Sequence, residues 1–566
     1  MLENFNNKLN PRKLHLRPAS KVMRLSRMGA FHQSRLSFAR VLLRNLKNQK
    51  WSFDRPIWNI DHDGVGVASY RAIGPARTYT LVAFGHKLDD GKRSDRVIAE
   101  AWDSTFVLCD GEVDENQIHR LISNVPLQEA GRISENEIIL SRANKSMRLF
   151  NHVRECLANG FQPDLSKINE VGYLMRTTAV YGAGKFGAAD LNTWHLRPEF
   201  SGSFQPEMLA VWLIRAFSVD LVEHMAFTAA PTKSVKLKPL LRRNIGVGNS
   251  TGLGMAPFLI NHPVLIHSWV YARETALARI RALNSTDPIT LGKFINFVRR
   301  AKISVGDWSV TEKGQSQKIE RLKVDLVALS AKSMCLSIST RRPWDHLYKW
   351  GELNMSLEGQ EALVSILFEP HGEIVDDLAT NMSADETALT PVNGHQTITS
   401  FLRLLTKSYD WALKIDFEIP ENRTRLWYIS KEKLEPRLGN RFKEPLDGYE
   451  QPLAPAYAVS MMHKDLLSFD ITSNIGEFLV HFPQHRQIAR RVQKIATLDY
   501  AEIRDNTISE NMTPTDLLRC KLSFLGATKF NPLSDRWLRI NMYQGMPFPD
   551  ELAFLDPDDS IFPQLK

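Results

Sequence analysis

Two glycine-rich segments near the middle of the chain carry residue types and spacings suited to chemistry. Gly182-Ala183-Gly184-Lys185-Phe186-Gly187 fits G-x-G-x-x-G and follows an expected strand over 173–180. In a dinucleotide-binding fold such glycines let the main chain approach a pyrophosphate, and a long helix then points its N-terminus at it. Here Pro198 and Gly202 interrupt any such helix early. The broader expectation is an anion cradle: main-chain N–H groups of Gly182, Gly184 and Gly187, with cations from Lys185, Arg176 and Arg197. No particular cofactor is indicated, and a tight turn with Lys185 in solvent is the plainer alternative.

The second segment, 246–254, lies in a run of 29 residues (244 to 272) that holds no Asp, Glu, Lys or Arg. Its neutral hydrogen-bonding residues include Asn249, Ser250 and Thr251. Burying such groups without partners costs about 1–3 kcal/mol each, so the pattern suggests a ligand. Gly248-Asn249-Ser250-Thr251-Gly252 also fits G-x-S-x-G, in which a serine on a strand-to-helix turn acts as a nucleophile. The flanking residues make a poor strand and a poor helix start, so a loop cradling a carboxylate or phosphate is the preferred expectation, and a serine hydrolase acting through Ser250 the alternative.

Candidate acid–base groups come from helices opened by proline. On the helix expected from Pro263, His267, Tyr271 and Glu274 fall at i, i+4 and i+7, on one face. A histidine beside a phenol and a carboxylate can be oriented and tuned for proton transfer. On the helix from Pro206, Asp220 and His224 form a similar pair, with Glu223 alongside and Arg215 inside an apolar run. Core histidines and internal ion pairs are the bland reading of both. Asp61-His62-Asp63-Gly64 and the His371–Asp377 stretch have metal-ligand chemistry but no recognised loop spacing, so no metal is assigned.

The elements that must position these residues point to an α+β protein: a helical central region, with antiparallel sheet contributed from the N-terminal and C-terminal thirds. Strands are expected over 65–73, 78–86 and 97–109, joined by Gly-Pro and Asp-Asp-Gly turns, and again over 412–418 and 424–430. Helices are expected over 34–46, 115–123, 135–158, 206–227, 263–283, 288–300 and 398–409. The divisions are 1–50, a basic arm and amphipathic helix; 51–165, antiparallel β plus helices; 166–300, the glycine segments and helical core; 301–394, helical and irregular with an acidic loop; and 395–566. The last, where Ser400-Phe-Leu-Arg echoes Ser37-Phe-Ala-Arg, is a candidate duplicate of the N-terminal unit. The stretch 370–396 reads as a linker.

Composition fixes the class. With 566 residues, 43% hydrophobic and 24% charged, the chain reads as an ordinary globular protein of about two to four domains. Its four cysteines are scattered, as in a reduced, cytoplasmic protein. Charged residues and prolines interrupt every long apolar run, so neither a membrane span nor a secretory signal is expected.

The net charge of +9 is unevenly spread. Residues 1–50 hold twelve Lys/Arg and one acid, a charge of +11, whereas 350–402 hold nine acids and no Lys or Arg. The arm is therefore expected to dock against that acidic region, on its own chain or in a homo-oligomer. Nucleic-acid binding by a free arm is a disfavoured alternative, and an acid-poor arm also has the composition of a transit peptide. The expected partner is a small anionic metabolite, acted on by a cytoplasmic enzyme.

Overall fold

Short turns and alternating apolar residues make the first part of the chain a meander. In the computed structural model β1 (Ser52–Ile60), β2 (Gly66–Ile73), β3 (Thr78–Gly85), β4 (Ser104–Asp110) and β5 (Glu137–Lys145) each pair antiparallel with the next. The turn between β2 and β3 requires Gly74, because a Cβ there would meet the Trp51 indole at 2.5 Å. The structure describes residues 15–31, 33–89, 101–126, 134–178, 197–200, 204–251, 263–308, 313–382, 391–419, 455–504, 522–532 and 538–560.

Four more strands extend the sheet. β6 (Tyr173–Thr177) is antiparallel to β5, β7 (Gly246–Thr251) is parallel to β6, and β8 (Ala527–Pro532) and β9 (Leu538–Met542) complete the order β1-β2-β3-β4-β5-β6-β7-β9-β8. Sheet and helices do not alternate regularly, so the protein is α+β.

The chain divides into two compact units. One comprises Met1–Gly29, Gly252–Arg279 and Asn381–Cys520; the other comprises Ala30–Thr251, Ile280–Thr380 and Lys521–Lys566 and holds the whole sheet. Its helices include α1 (Phe38–Asn48), α2 (Glu115–Asn124), α3 (Phe150–Ala158), α4 (Leu165–Val171) and α5 (Gln205–Ala229). Nearly every α5 residue from Gln205 to Ala226 is buried, because the sequence is apolar on all sides of the helix. It packs against α1, α3 and strands β3 to β7, with Phe217 edge-on to Phe106 at 5.4 Å. Arg215, inside this run, satisfies its guanidinium with the main-chain oxygens of Ile245, Met546, Pro547 and Arg243 rather than with a carboxylate. Burial lowers its pKa to about 9.

Helix α6 (Pro263–Ala282) carries the division between the units. Helices α7 (Pro288–Gly306), α8 (Lys313–Met334), α9 (Pro343–Asn354) and α10 (Leu357–Phe368) form a helical layer of the sheet-bearing unit. Asp287 and Ser356 cap α7 and α10. In the other unit α11 (Ile398–Leu413), α12 (Pro455–Ser468), α13 (Ile475–His481) and α14 (Arg486–Ile495) enclose Phe401, Leu405, Val459, Met462, Phe478 and Val492.

Several expected elements differ. The helix expected over 135–158 is strand β5 followed by α3, because Ile138, Ile139 and Leu140 are buried and β4 offers an open edge to pair with. Residues 412–418 are not a strand: they finish α11 and enter a turn in which Asp416 accepts from the Glu418 N–H, while 424–430 lie outside the described residues. Residues 370–382 are short helical turns with buried Ile374 and Val375, not linker. Around the echo at Ser400 the surroundings differ. Trp51 lies between α1 and β1, whereas Trp411 lies within α11.

Candidate functional site

Adjacent strands run parallel at one place in the sheet, and it involves both glycine-bearing segments. Tyr173 of β6 lies beside Gly246 of β7, and Arg176 beside Gly248, so both strands end at the same edge of the sheet. The chain leaving β6 leads to Gly182, Gly184, Lys185 and Gly187, and the chain leaving β7 to Gly252 and Gly254. Residues 179–196 and 252–262 lie outside those described.

Gly246 to Thr251 form a strand, where a loop was expected. The glycines are there for close packing. A Cβ on Gly248 would meet the Tyr173 ring at 2.7 Å, and one on Gly246 would meet the Met542 carbonyl oxygen at 2.6 Å. Asn249, Ser250 and Thr251 pair with Ile540, Arg539 and Leu538 of β9. Ser250 is therefore paired within β7, and the residues after Thr251, where a strand-to-helix turn would lie, are outside those described. The phenol oxygen of Tyr173 is buried without a hydrogen-bond partner.

The expected cations Arg176 and Arg197 are separated, and Lys185 lies outside the described residues. Arg176 is buried on β6. Arg197 stands at the ends of β3 and β4, donating to the Tyr79 phenol oxygen at 2.9 Å and to Asp110 at 2.8 Å. Tyr79 in turn donates to Glu199 at 2.6 Å. The register sets Thr177, the last residue of β6, level with Ala143 and with Ser104 at the start of β4, so Arg197 at the Tyr79 and Asp110 strand ends stands away from the end of β6.

The two histidines differ in availability. His224 is held at both ring nitrogens, by the Trp58 indole N–H at 3.2 Å and by the Asp61 carbonyl at 3.1 Å. Its expected partner Asp220 instead accepts from Tyr70 and Arg55, each at 2.8 Å. His267, in the other unit, accepts at Nδ1 from the Tyr500 N–H at 3.0 Å, which places its proton on Nε2. Its ring stacks with Tyr271 and Tyr500, and burial lowers its pKa against the opposing influence of Asp499. Glu274 does not serve this histidine. Its carboxylate is buried and bound by Arg17 at 2.7 and 2.8 Å, with Arg273 at 3.1 Å.

The other sequence candidates are structural. Asp61 turns its carboxylate onto the N–H groups of Asp63 and Val65, the polar-turn reading of that motif. His371 engages the Leu367 carbonyl, and Asp376 pairs with Arg35. Among the described residues no cluster of His, Cys, Asp and Glu is placed to hold a metal ion.

The part of the arm from Arg35 to Arg44 meets carboxylates of the acidic region and of the C-terminal segment, whereas Arg17 pairs with Glu274. Arg35, Arg40 and Arg44 pair with Glu369, Asp376 and Asp558, while Leu36, Phe38, Val41, Leu42 and Leu43 are buried. Burial opposes ionisation of Asp558, but Arg40, Arg44 and Arg35 hold its carboxyl well below the usual range.

One group escaped the sequence reading. Glu207, in the first turn of α5, is buried with Oε2 unpartnered, and burial raises its pKa to about 7. Its signal was an acid immediately after Pro206 at the head of an apolar run. Compared with known protein families, curated proteins and solved structures, the chain matches none.

Proposed function

We propose that the protein is a cytoplasmic enzyme acting on a small anionic metabolite, a carboxylate or phosphate, held at the edge of the sheet where β6 and β7 end. The observation that carries this reading is the parallel pair β6–β7. In open, mostly parallel α/β sheets ligands bind beyond the carboxyl ends, where successive loops diverge, and we extend that rule to the parallel pair of this α+β sheet. Here both loops are glycine-rich, and one bears Lys185. Arg176 and Lys185 would hold the anion, while Asn249, Ser250 and Thr251 would orient the reacting part. Among the described residues no helix is long and apolar enough to cross a membrane.

Nucleic-acid binding by the basic arm has less support, because Arg17, Arg35, Arg40 and Arg44 are all committed to buried or half-buried ion pairs. The test is a thermal-shift screen against carboxylate- and phosphate-bearing metabolites, repeated on Lys185→Ala. At least one anion should stabilise the wild type and lose that effect in the variant. If no anion shifts the wild-type transition, the reading fails.

A further inference from the structure

Helix α5 starts in an unusual way. Phe204 occupies its N-cap position at φ 60°, in the left-handed region disfavoured for a side-chain-bearing residue, and no side chain caps the first turn. Pro206 contributes no N–H. The positive end of the dipole of this 25-residue helix lies here, and so does the carboxyl group of Glu207. Glu207 is 2% exposed, and its Oε2 has no hydrogen-bond partner. Its own main-chain N–H is the one hydrogen bond acting on the carboxyl, which holds the group at the first turn.

Such a group normally finds a cation or several donors. Around Glu207 that does not happen. The elements packed on α5 are α1, α3, strands β1 to β7 and the segment 543–548, and among the described residues no charged side chain contributes to the titration of Glu207. Burial is the leading cause and raises the pKa to about 7. Near neutrality much of the protein thus carries an uncharged acid, with a hydrogen to give and nothing described to receive it.

We propose that the start of α5 is an oxyanion subsite, in which neutral Glu207 donates its carboxyl hydrogen to a carboxylate or phosphate oxygen of the ligand. The inference rests on the anionic-metabolite reading and adds the acid that receives the anion. The helix's positive end favours the ligand's charge, and the acid O–H supplies the donor that Pro206 withholds. An ionised Glu207 would repel the same ligand, so binding follows protonation.

Sulfate is the probe, because it remains a dianion throughout the range tested. Calorimetric titration of the full chain at about pH 6 and about pH 8.5 should show wild-type affinity falling by about tenfold or more as Glu207 ionises. Glu207→Gln keeps an N–H donor and should bind at both pH values without that fall. Glu207→Met should lose binding at both, with its fold checked by circular dichroism. Saturable binding that ignores pH, equal binding by the Met variant, or no saturable binding by the wild type would each overturn the subsite. Failure of the two readings is distinguishable. A metabolite whose effect depends on Lys185, with sulfate indifferent to Glu207, removes the subsite alone. Glu207-dependent sulfate binding, with no metabolite responding in the screen, removes the metabolite reading alone.

Discussion

Arg40 and Glu369 face each other with neither side chain exposed: Nη1 lies 2.8 Å from Oε1 and Nη2 2.6 Å from Oε2, a bidentate pair 329 residues apart in sequence. Asp558 accepts from the same guanidinium at 2.9 Å. Arg40→Met leaves two carboxylates without their main cation, and breaking a buried pair costs about 3–5 kcal/mol. Urea denaturation should show that loss, little relieved by salt because the pair is dry. The double variant Arg40→Met/Glu369→Met should recover much of it. Equal stability of wild type and Arg40→Met would show that the pair contributes nothing.

Glu207 gives stability a pH dependence with a definite sign. Its folded pKa, raised to about 7, lies above the usual value for an unfolded glutamate. The stability contributed by the protonated form is fully present below the unfolded pKa and is lost as pH rises through about 7. Glu207→Gln removes this titration. Relative to wild type the variant should gain stability on the order of 2–3 kcal/mol at about pH 8.5, and almost nothing at about pH 4. Denaturant curves at the two pH values measure the difference, and a gain at low pH instead would refute the assignment.

The Tyr173–Gly248 contact is tight enough to test by a double-mutant cycle. Gly248→Ala places a methyl group 2.7 Å from a rigid ring, so overpacking should cost about 1–3 kcal/mol. Tyr173→Phe removes an unpartnered hydroxyl and should be near neutral. In a Tyr173→Ala background, Gly248→Ala should lose most of its cost. Additive effects of the two substitutions would mean that the strands do not approach as closely as described.

Local signals in the sequence settled several elements. Pro206, Pro263 and Asp287-Pro288 mark helix starts because proline suits the first turn, and the structure begins helices at Gln205, Pro263 and Pro288. The hairpin of β2 and β3 follows from alternation and a Gly-Pro turn. Charge arithmetic also pointed to the pairing of Arg35 and Arg40 with Asp376 and Glu369, although Arg17 of the same arm pairs with Glu274 and Asp558 lies outside the acidic block. What only the tertiary structure decided were features whose cause lies far away in the chain. Residues 137–145 are a strand because β4 needed a partner, and 246–251 are a strand because their glycines admit Tyr173 and the Met542 carbonyl. Asp558 joins the arginines from more than 500 residues beyond them. Glu207 stands at the head of an apolar run in the sequence, but its raised pKa arises from the burial that folding imposes, with no cation among the described residues brought near to offset it.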